Sequence, residues 1–304
     1  SNNLLNGVVD FYNWGVLNVG AFVNITRSPA TSGVYGGDRF RLRCANDRRY
    51  ATGQVWEGFR SNWVWESGIE YDVQPIKPSG VWVTNIFCPT SGIKNPHYVD
   101  YPRGRVVFTS GLSTSSVVQT EFSPRTVYFV DAETPFMKKL MFDSWDISRS
   151  DWLAISSGNW SEWPDVRYQM PLVGVQIVPT MSFEPFALGG GQWCRQDMLF
   201  HVLTENVYDK RQITDLIASQ NDKTIWISNY GTMKESASYP LSLDYRGTPV
   251  VSSVQYPELV GEDSTYRWRK VQFTDTRVQN LEDIDNRLYR SIVRTTILIR
   301  MDNI

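Results

Sequence analysis

The chain has 304 residues, a formal net charge of −2 at pH 7, 41% hydrophobic and 20% charged residues. That length and balance fit one large or two ordinary globular domains and exclude a disordered polymer. The near-neutral charge excludes a global basic field of the kind that marks a dedicated nucleic-acid binder. The longest apolar runs fall far short of the ~20 residues that span a bilayer, so no membrane partner is expected.

In chain order, LLNGVVDFYNWGVLN (4–18) sets Leu4, Val8 and Tyr12 on one stripe with Leu5 and Val9 beside it, the i, i+4 pattern of an amphipathic helix. Gly15 and Gly20 are expected to break it, and AFVNIT (21–26) alternates like a strand. From about Gly33 to Val130 the chain is dense in turn and strand signals. In DRFRLRC, Arg39, Arg41 and Arg43 alternate with Phe40, Leu42 and Cys44, which puts three guanidiniums on one face of a strand. QVWEGF, NWVWES, VWVTNIF, GRVVFTS, SSVVQTEF and RTVYFV are further strands, punctuated by Gly, Pro, Ser and Asn. Such spacing predicts a sandwich or barrel-like region. PFMKKLMFDSWD suits a helix and SSGNWSEWPD a loop.

Beyond residue 165 the pattern changes. MPLVGVQIVPTMSF reads as a buried strand, and the run Gly189-Gly190-Gly191 precedes a strand–helix–strand unit from Asp197 to Ser228. In its helix Ile213, Leu216 and Ile217 form the apolar seam, Asp209, Lys210, Arg211 and Asp215 face water, and Asn206 or Asp209 caps the start. YRWRKVQFTDTRVQ and YRSIVRTTILIRMD close the chain as long strands. In the second, Ile292, Arg294, Thr296, Leu298 and Arg300 share one face, and Val293, Thr295, Ile297, Ile299 and Met301 the other. The expected fold class is α+β and β-rich, with a helix and first strand over 1–34 packing with a C-terminal α/β module over 165–304, and a β-rich domain inserted over 35–164.

Chemistry-bearing patterns are sparse. Cys44, Cys88 and Cys194 lack CxxC spacing and are odd in number, against a disulfide framework or a zinc site, so synthesis in a reducing cytosol is expected. No charged-then-apolar signal pattern opens the sequence, so no secretory leader is expected, and Ser1 fits a mature product whose initiator Met was removed. His97 lies in a Pro-rich turn and His201 among apolar strand neighbours. Neither stands by a nucleophile motif, and GGGQWC and VYGGD match no phosphate-binding fingerprint. No catalytic residue, cofactor or metal is expected. Carboxylate pairs such as Glu57/Glu66 or Asp143/Asp146 leave a cell-wall hydrolase open. Trp63, Trp65, Trp160 and Trp163 look exposed and suit an adhesin that binds host-surface glycans. Asn24-Ile25-Thr26 and Asn159-Trp160-Ser161 match a glycosylation pattern that means little without a secretory signal. The 12 Trp, the 15 Tyr, and 22 Arg against 8 Lys are the bias of interfaces, or of a β-rich core built on aromatics. The Arg39, Arg41 and Arg43 stripe, with Arg48 and Arg49 after it, suits phosphates or a partner's carboxylates. It also suits a solvated face paired to neighbouring acids.

Three tracts carry a family resemblance: LLNGVVDFYNWGVLNVG, HYVDYPRGRVVFTSGLSTSSVVQTEFSPRTVYF, and MPLVGVQIVP with FALGGGQWCRQDMLFHVLTENVYDKRQITDLIASQNDKTIWI. Together they resemble virion structural proteins of tailed bacteriophages. The last is similar to the tail-terminator and neck proteins that join head to tail, best over roughly 165 to 230. The resemblance implies a sheet-plus-helix module whose copies extend one another's sheets into a ring, here with an additional β-sandwich or barrel-like domain. It implies a non-enzymatic neck protein, a homo-oligomer (hexamer or dodecamer), assembled in the bacterial cytoplasm and carried in the virion. Its partners would be a portal or head-completion protein and tail tube, terminator or sheath proteins, with transient non-specific contact with genomic DNA. The candidate interface residues are Arg39, Arg41, Arg43, Ile213, Leu216 and Ile217.

Overall fold

Helix α1 runs from Asn2 to Asn18 and buries the expected stripe, Leu4, Val8 and Tyr12. The computed structural model describes residues 2–27, 39–66, 68–85, 88–138, 140–141, 168–185, 190–227, 229, 270–280 and 288–301. Gly15 lies inside α1 and does not break it. Its cost in a helix, about 1 kcal/mol, is small beside the burial of Trp14, Val16 and Leu17 around it. The helix ends where Gly20 takes φ +83° and the amides of Gly20 and Ala21 bond back to the carbonyls of Leu17 and Val16. AFVNIT forms no strand. Only Phe22 and Ile25 bridge to Arg125 and Phe122, and these two are the buried residues, three apart instead of two.

The chain is α+β and β-rich, with two curled sheets and few helices. The described residues of 1–14, 127–233 and 256–304 form one compact unit and those of 15–126 the other.

The first unit holds a six-stranded sheet. Its strands β8 (Tyr128–Asp131), β9 (Leu172–Pro185), β10 (Gln192–Thr204), β11 (Thr224–Trp226), β12 (Lys270–Asn280) and β13 (Tyr289–Met301) lie in the order β11-β12-β13-β10-β9-β8. All pairs are antiparallel except β8–β9. The expected face division of β13 holds: Val293, Thr295 and Ile297 are buried, and Arg294 and Arg300 are exposed. Tyr12 of α1 stacks on Phe129 at 4.9 Å and meets Phe200 edge-on at 5.1 Å, fixing the helix against one face. On the other face the short helix α2 (Pro135–Lys138) sets Met137 over Gly174, where an added Cβ would stand 2.4 Å from the Met137 Cε. The rest of PFMKKLMFDSWD, and SSGNWSEWPD, lie outside the described residues.

Helix α3 (Val207–Ala218) packs on β10, β12 and β13. Of the two candidate caps Asn206 serves, its Oδ1 accepting the Asp209 amide at 2.7 Å. The strand read as wholly buried, β9, is buried only at Leu172–Val175 and is exposed from Pro179 onward.

The second unit holds a seven-stranded antiparallel sheet. Its strands are β1 (Arg41–Cys44), β2 (Val55–Glu57), β3 (Val81–Asn85), β4 (Cys88–Lys94), β5 (Tyr98–Asp100), β6 (Arg105–Val107) and β7 (Val117–Gln119), in the order β4-β3-β7-β1-β2-β6-β5. NWVWES contributes a single bridge, Trp63 to Pro124, and no strand. Phe40, Leu42, Trp56, Val81, Val106, Val118 and Phe122 form the core, with Trp63 stacked on Phe122 at 4.2 Å. Beneath it Glu66 and Arg125 make a buried ion pair.

Truncating Trp63 to Ala should therefore cost about 3–5 kcal/mol, as for other fully buried aromatics. Urea denaturation measures it as a lowered midpoint; an unchanged midpoint would contradict this packing.

Candidate interaction surface

β1 is a short strand held on both sides, by β7 and by β2. Its alternation fixes the faces: Phe40 and Leu42 enter the core, and Arg39, Arg41 and Arg43 are exposed. The predicted guanidinium stripe is present as a geometric object. Sequence could not show what stands opposite it. Arg43 pairs across the sheet with Glu57, yet that carboxylate is held by Arg105 of β6 at 3.0 Å. Arg41 pairs with Gln119, whose side-chain oxygen accepts from Arg27 Nε at 3.0 Å. Asp47, a described acid four residues beyond Arg43, pairs with Arg49 at 2.6 Å and Arg105 at 3.3 Å, and Arg49 holds its carboxyl down at about 2. Among the described residues Arg39, Arg41 and Arg43 have no ion pair. The two aromatic neighbours are stacked by arginine as well: Arg27 lies over Trp82 at 5.1 Å and Arg39 over Phe59 at 5.6 Å.

The other half of the candidate set behaves differently. Ile213 and Ile217 are buried where α3 meets its own sheet, and Leu216 is only half-buried. The helix seam is thus an internal contact, with Thr214 taking a core place the periodicity had not given it. It holds α3 in place and presents no apolar surface of Ile213 or Ile217 to a partner.

The patterns that suggested other chemistry are dispersed. Trp63 and Trp65, taken as exposed, are only 1% and 7% accessible and belong to the core. A ring stacked inside a sheet cannot receive a sugar, and Trp160 and Trp163 lie outside the described residues. Glu57 and Glu66 are each bound by an arginine, Glu57 half-buried and Glu66 in the core; Asp143 and Asp146 are outside the described residues. His97 is exposed in its turn, with its ring edge-on to Tyr98. His201 is buried, and its Nε2 meets Gln176 Oε1 at 2.9 Å. Cys44 and Cys194 are free thiols, and burial pushes the Cys194 thiol up. Among the described residues no three His, Cys, Asp or Glu side chains converge, and no helix is long and apolar enough to cross a membrane.

The six-stranded unit has surface features that periodicity did not reveal. A groove of about 430 Å³ is lined by Leu4, Met181, Phe183, Gln196, Ile299 and Met301 among others, and Cys194 is its one titratable side chain. Met181 and Phe183 at its wall are 41% and 52% exposed, as is Val278 of β12 at 44%. Of the two closing strands, β13 is interior, paired with β10 along its whole length and with β12 on its other side. The edges left open among the described residues are on β9 beyond Val175, where β8 stops, and on β12 beyond Phe273.

No known family model matches this chain, and no curated protein matches it either.

His201 gives a pH test of the sheet. Burial, and then the nearby Arg290 cation, lower its pKa from 6.5 to about 4. Between those values the unfolded chain binds the extra proton, so stability falls as pH drops from about 6.5 toward 4. The loss reaches about 3 kcal/mol at 1.36 kcal/mol per unit. His201→Gln should flatten that part of the stability–pH curve. Parallel curves for the two proteins would contradict the burial.

Proposed function

We propose that this chain is a non-enzymatic structural protein of a tailed-phage virion. It forms a homo-oligomeric ring, hexameric or dodecameric, at the neck, joins the portal or head-completion protein to the tail, and lets DNA pass. The observation that carries the reading is the pair of open edges on the six-stranded sheet. Among the described residues β9 is open beyond Val175 along one side of the sheet and β12 beyond Phe273 along the other. An open edge is a template for another strand, and two such edges on opposite sides allow head-to-tail sheet extension between copies. Head-to-tail contacts form closed rings when their rotation closes.

Two further features agree. The residues exposed along these edges include Met181, Phe183 and Val278, large apolar groups of the kind buried when subunits meet. The edges nonetheless carry devices against indiscriminate pairing. Pro179 and Pro185 stand on β9, and the β9–β10 register shifts between Gln196 and Met198. Such an edge selects a partner of matching shape and discourages open-ended stacking. The mechanism is geometric: the sheet seals the joint, and the seven-stranded unit is available to meet neighbouring proteins or the DNA.

Light scattering of the purified chain should give six or twelve times the monomer mass, and Met181→Lys with Val278→Lys should shift it to monomer without lowering the unfolding midpoint. A chain that stays monomeric at micromolar concentration and is absent from purified particles would overturn the ring.

A further inference from the structure

We infer that the outer face of the seven-stranded sheet around β1 is a binding site for a phosphodiester backbone. Its contacts are the guanidiniums of Arg39, Arg41 and Arg43. The inference goes beyond the ring and does not depend on it, because every residue it uses lies within the seven-stranded unit.

The arginines around β1 compete for few acceptors. On a sheet, an acceptor directly across the strand is the nearest partner a surface arginine can have. Here both such residues are already taken by another arginine, Glu57 by Arg105 and Gln119 by Arg27. Among the described acids nearby, Asp47 is shared by Arg49 and Arg105. Glu121 accepts the backbone amide of Arg27 at 2.9 Å. Among the described residues the local arrangement therefore has an excess of guanidinium over carboxylate, and the excess is collected on β1 and the turn that leads into it.

Spacing and access then select the ligand. Alternate residues of an antiparallel strand stand about 6.8 Å apart, so Arg41 and Arg43 of β1, with Arg39 in the turn just before it, form a comb of exposed guanidiniums. Because β1 is hydrogen-bonded on both sides, no peptide can align with it by strand addition. The comb is reachable only from above the face, through side chains. A polymer with one charge per repeat on its own backbone meets it best, and the repeat is of the same order as the separation of neighbouring phosphates along a nucleic-acid strand. Arginine binds phosphate through two parallel donors, and its guanidinium plane also receives an unstacked base. Two such planes are held in place: Arg39 of the comb itself over Phe59, and Arg27 beside it over Trp82. The contacts carry no base-edge readout, so the site is indifferent to sequence.

Fluorescence anisotropy of the full chain with a labelled oligo-dT single strand, and separately with a duplex of mixed sequence, tests this. Three phosphate contacts predict a single-strand affinity that falls about 20-fold between 50 and 200 mM salt, with a slope near −0.7 per contact and a steeper one for duplex. The triple variant Arg39→Gln, Arg41→Gln, Arg43→Gln should lose most of that salt dependence while keeping the wild-type oligomeric mass and unfolding midpoint. Tighter binding to the single strand or to the duplex identifies which source of phosphodiester the face prefers, and either supports the site. An unchanged salt slope in the triple variant would overturn the assignment. So would failure to bind both oligonucleotides while an acidic polyglutamate binds through the same arginines, which would make the partner a protein. A monomeric wild type that still binds through the comb would remove the ring and leave this site standing.

Discussion

Thirteen residues of β10 pair in unbroken register with thirteen of β13, and the arrangement of the six-stranded unit depends on that ladder. Side chains alternate along a strand, so slipping the pair by one residue would turn Phe200, Val202, Val293 and Ile297 to the opposite face and expose them. The register thereby decides which face receives α1. Tyr12 can stack on Phe129 and meet Phe200 because both rings stand on the same side. Long central strands have a second consequence. β8 and β11 are only four and three residues long and cover only the first part of β9 and of β12. The mismatch in strand length leaves these edges open among the described residues.

The seven-stranded unit solves a different problem with short strands. Most of its strands are three to five residues long, too short for a ladder alone to hold register. Its order comes from large buried aromatics, Trp56, Trp63 and Phe122, and from the buried Glu66–Arg125 pair. Such a pair is weak as a source of net stability and strong as a constraint, since either partner left alone would be a desolvated charge. With the core side so occupied, Arg39, Arg41 and Arg43 stand on the other face. There arginine outnumbers its acceptors.

How far the fold was legible follows from where each signal resides. Period-two and period-3.6 alternation are local, and they placed the α1 stripe, the Arg39–Cys44 faces and both faces of β13. Segments with no pattern were missed: β4, CPTSGIK, has proline and glycine and no apolar alternation, and is a strand because β3 pairs with it. Long-range facts were equally hidden. RTVYFV contains β8, which runs parallel to β9 and so belongs to the six-stranded sheet, though in sequence it follows the short strands. Trp63 and Trp65 sit among polar neighbours, so their burial depends on Phe122 and Ser123, about sixty residues away, to which the chain around them is bonded.

The candidate surface shows the same divide within one strand. Alternation was enough to set three guanidiniums on one side of β1. Whether such a stripe is a solvated face or a binding face depends on acceptors that sequence places at residues 57 and 119, and on the arginines at 105 and 27 that claim them. An ordinary solvated stripe would have Glu57 turned to Arg43; here it is turned to Arg105. Interior position adds the second constraint, because a strand paired on both sides offers a visitor its side chains and nothing of its backbone. The two sheets are thus complementary in what they leave open. One offers backbone edges suited to a strand, and the other offers charge without backbone, suited to a polyanion.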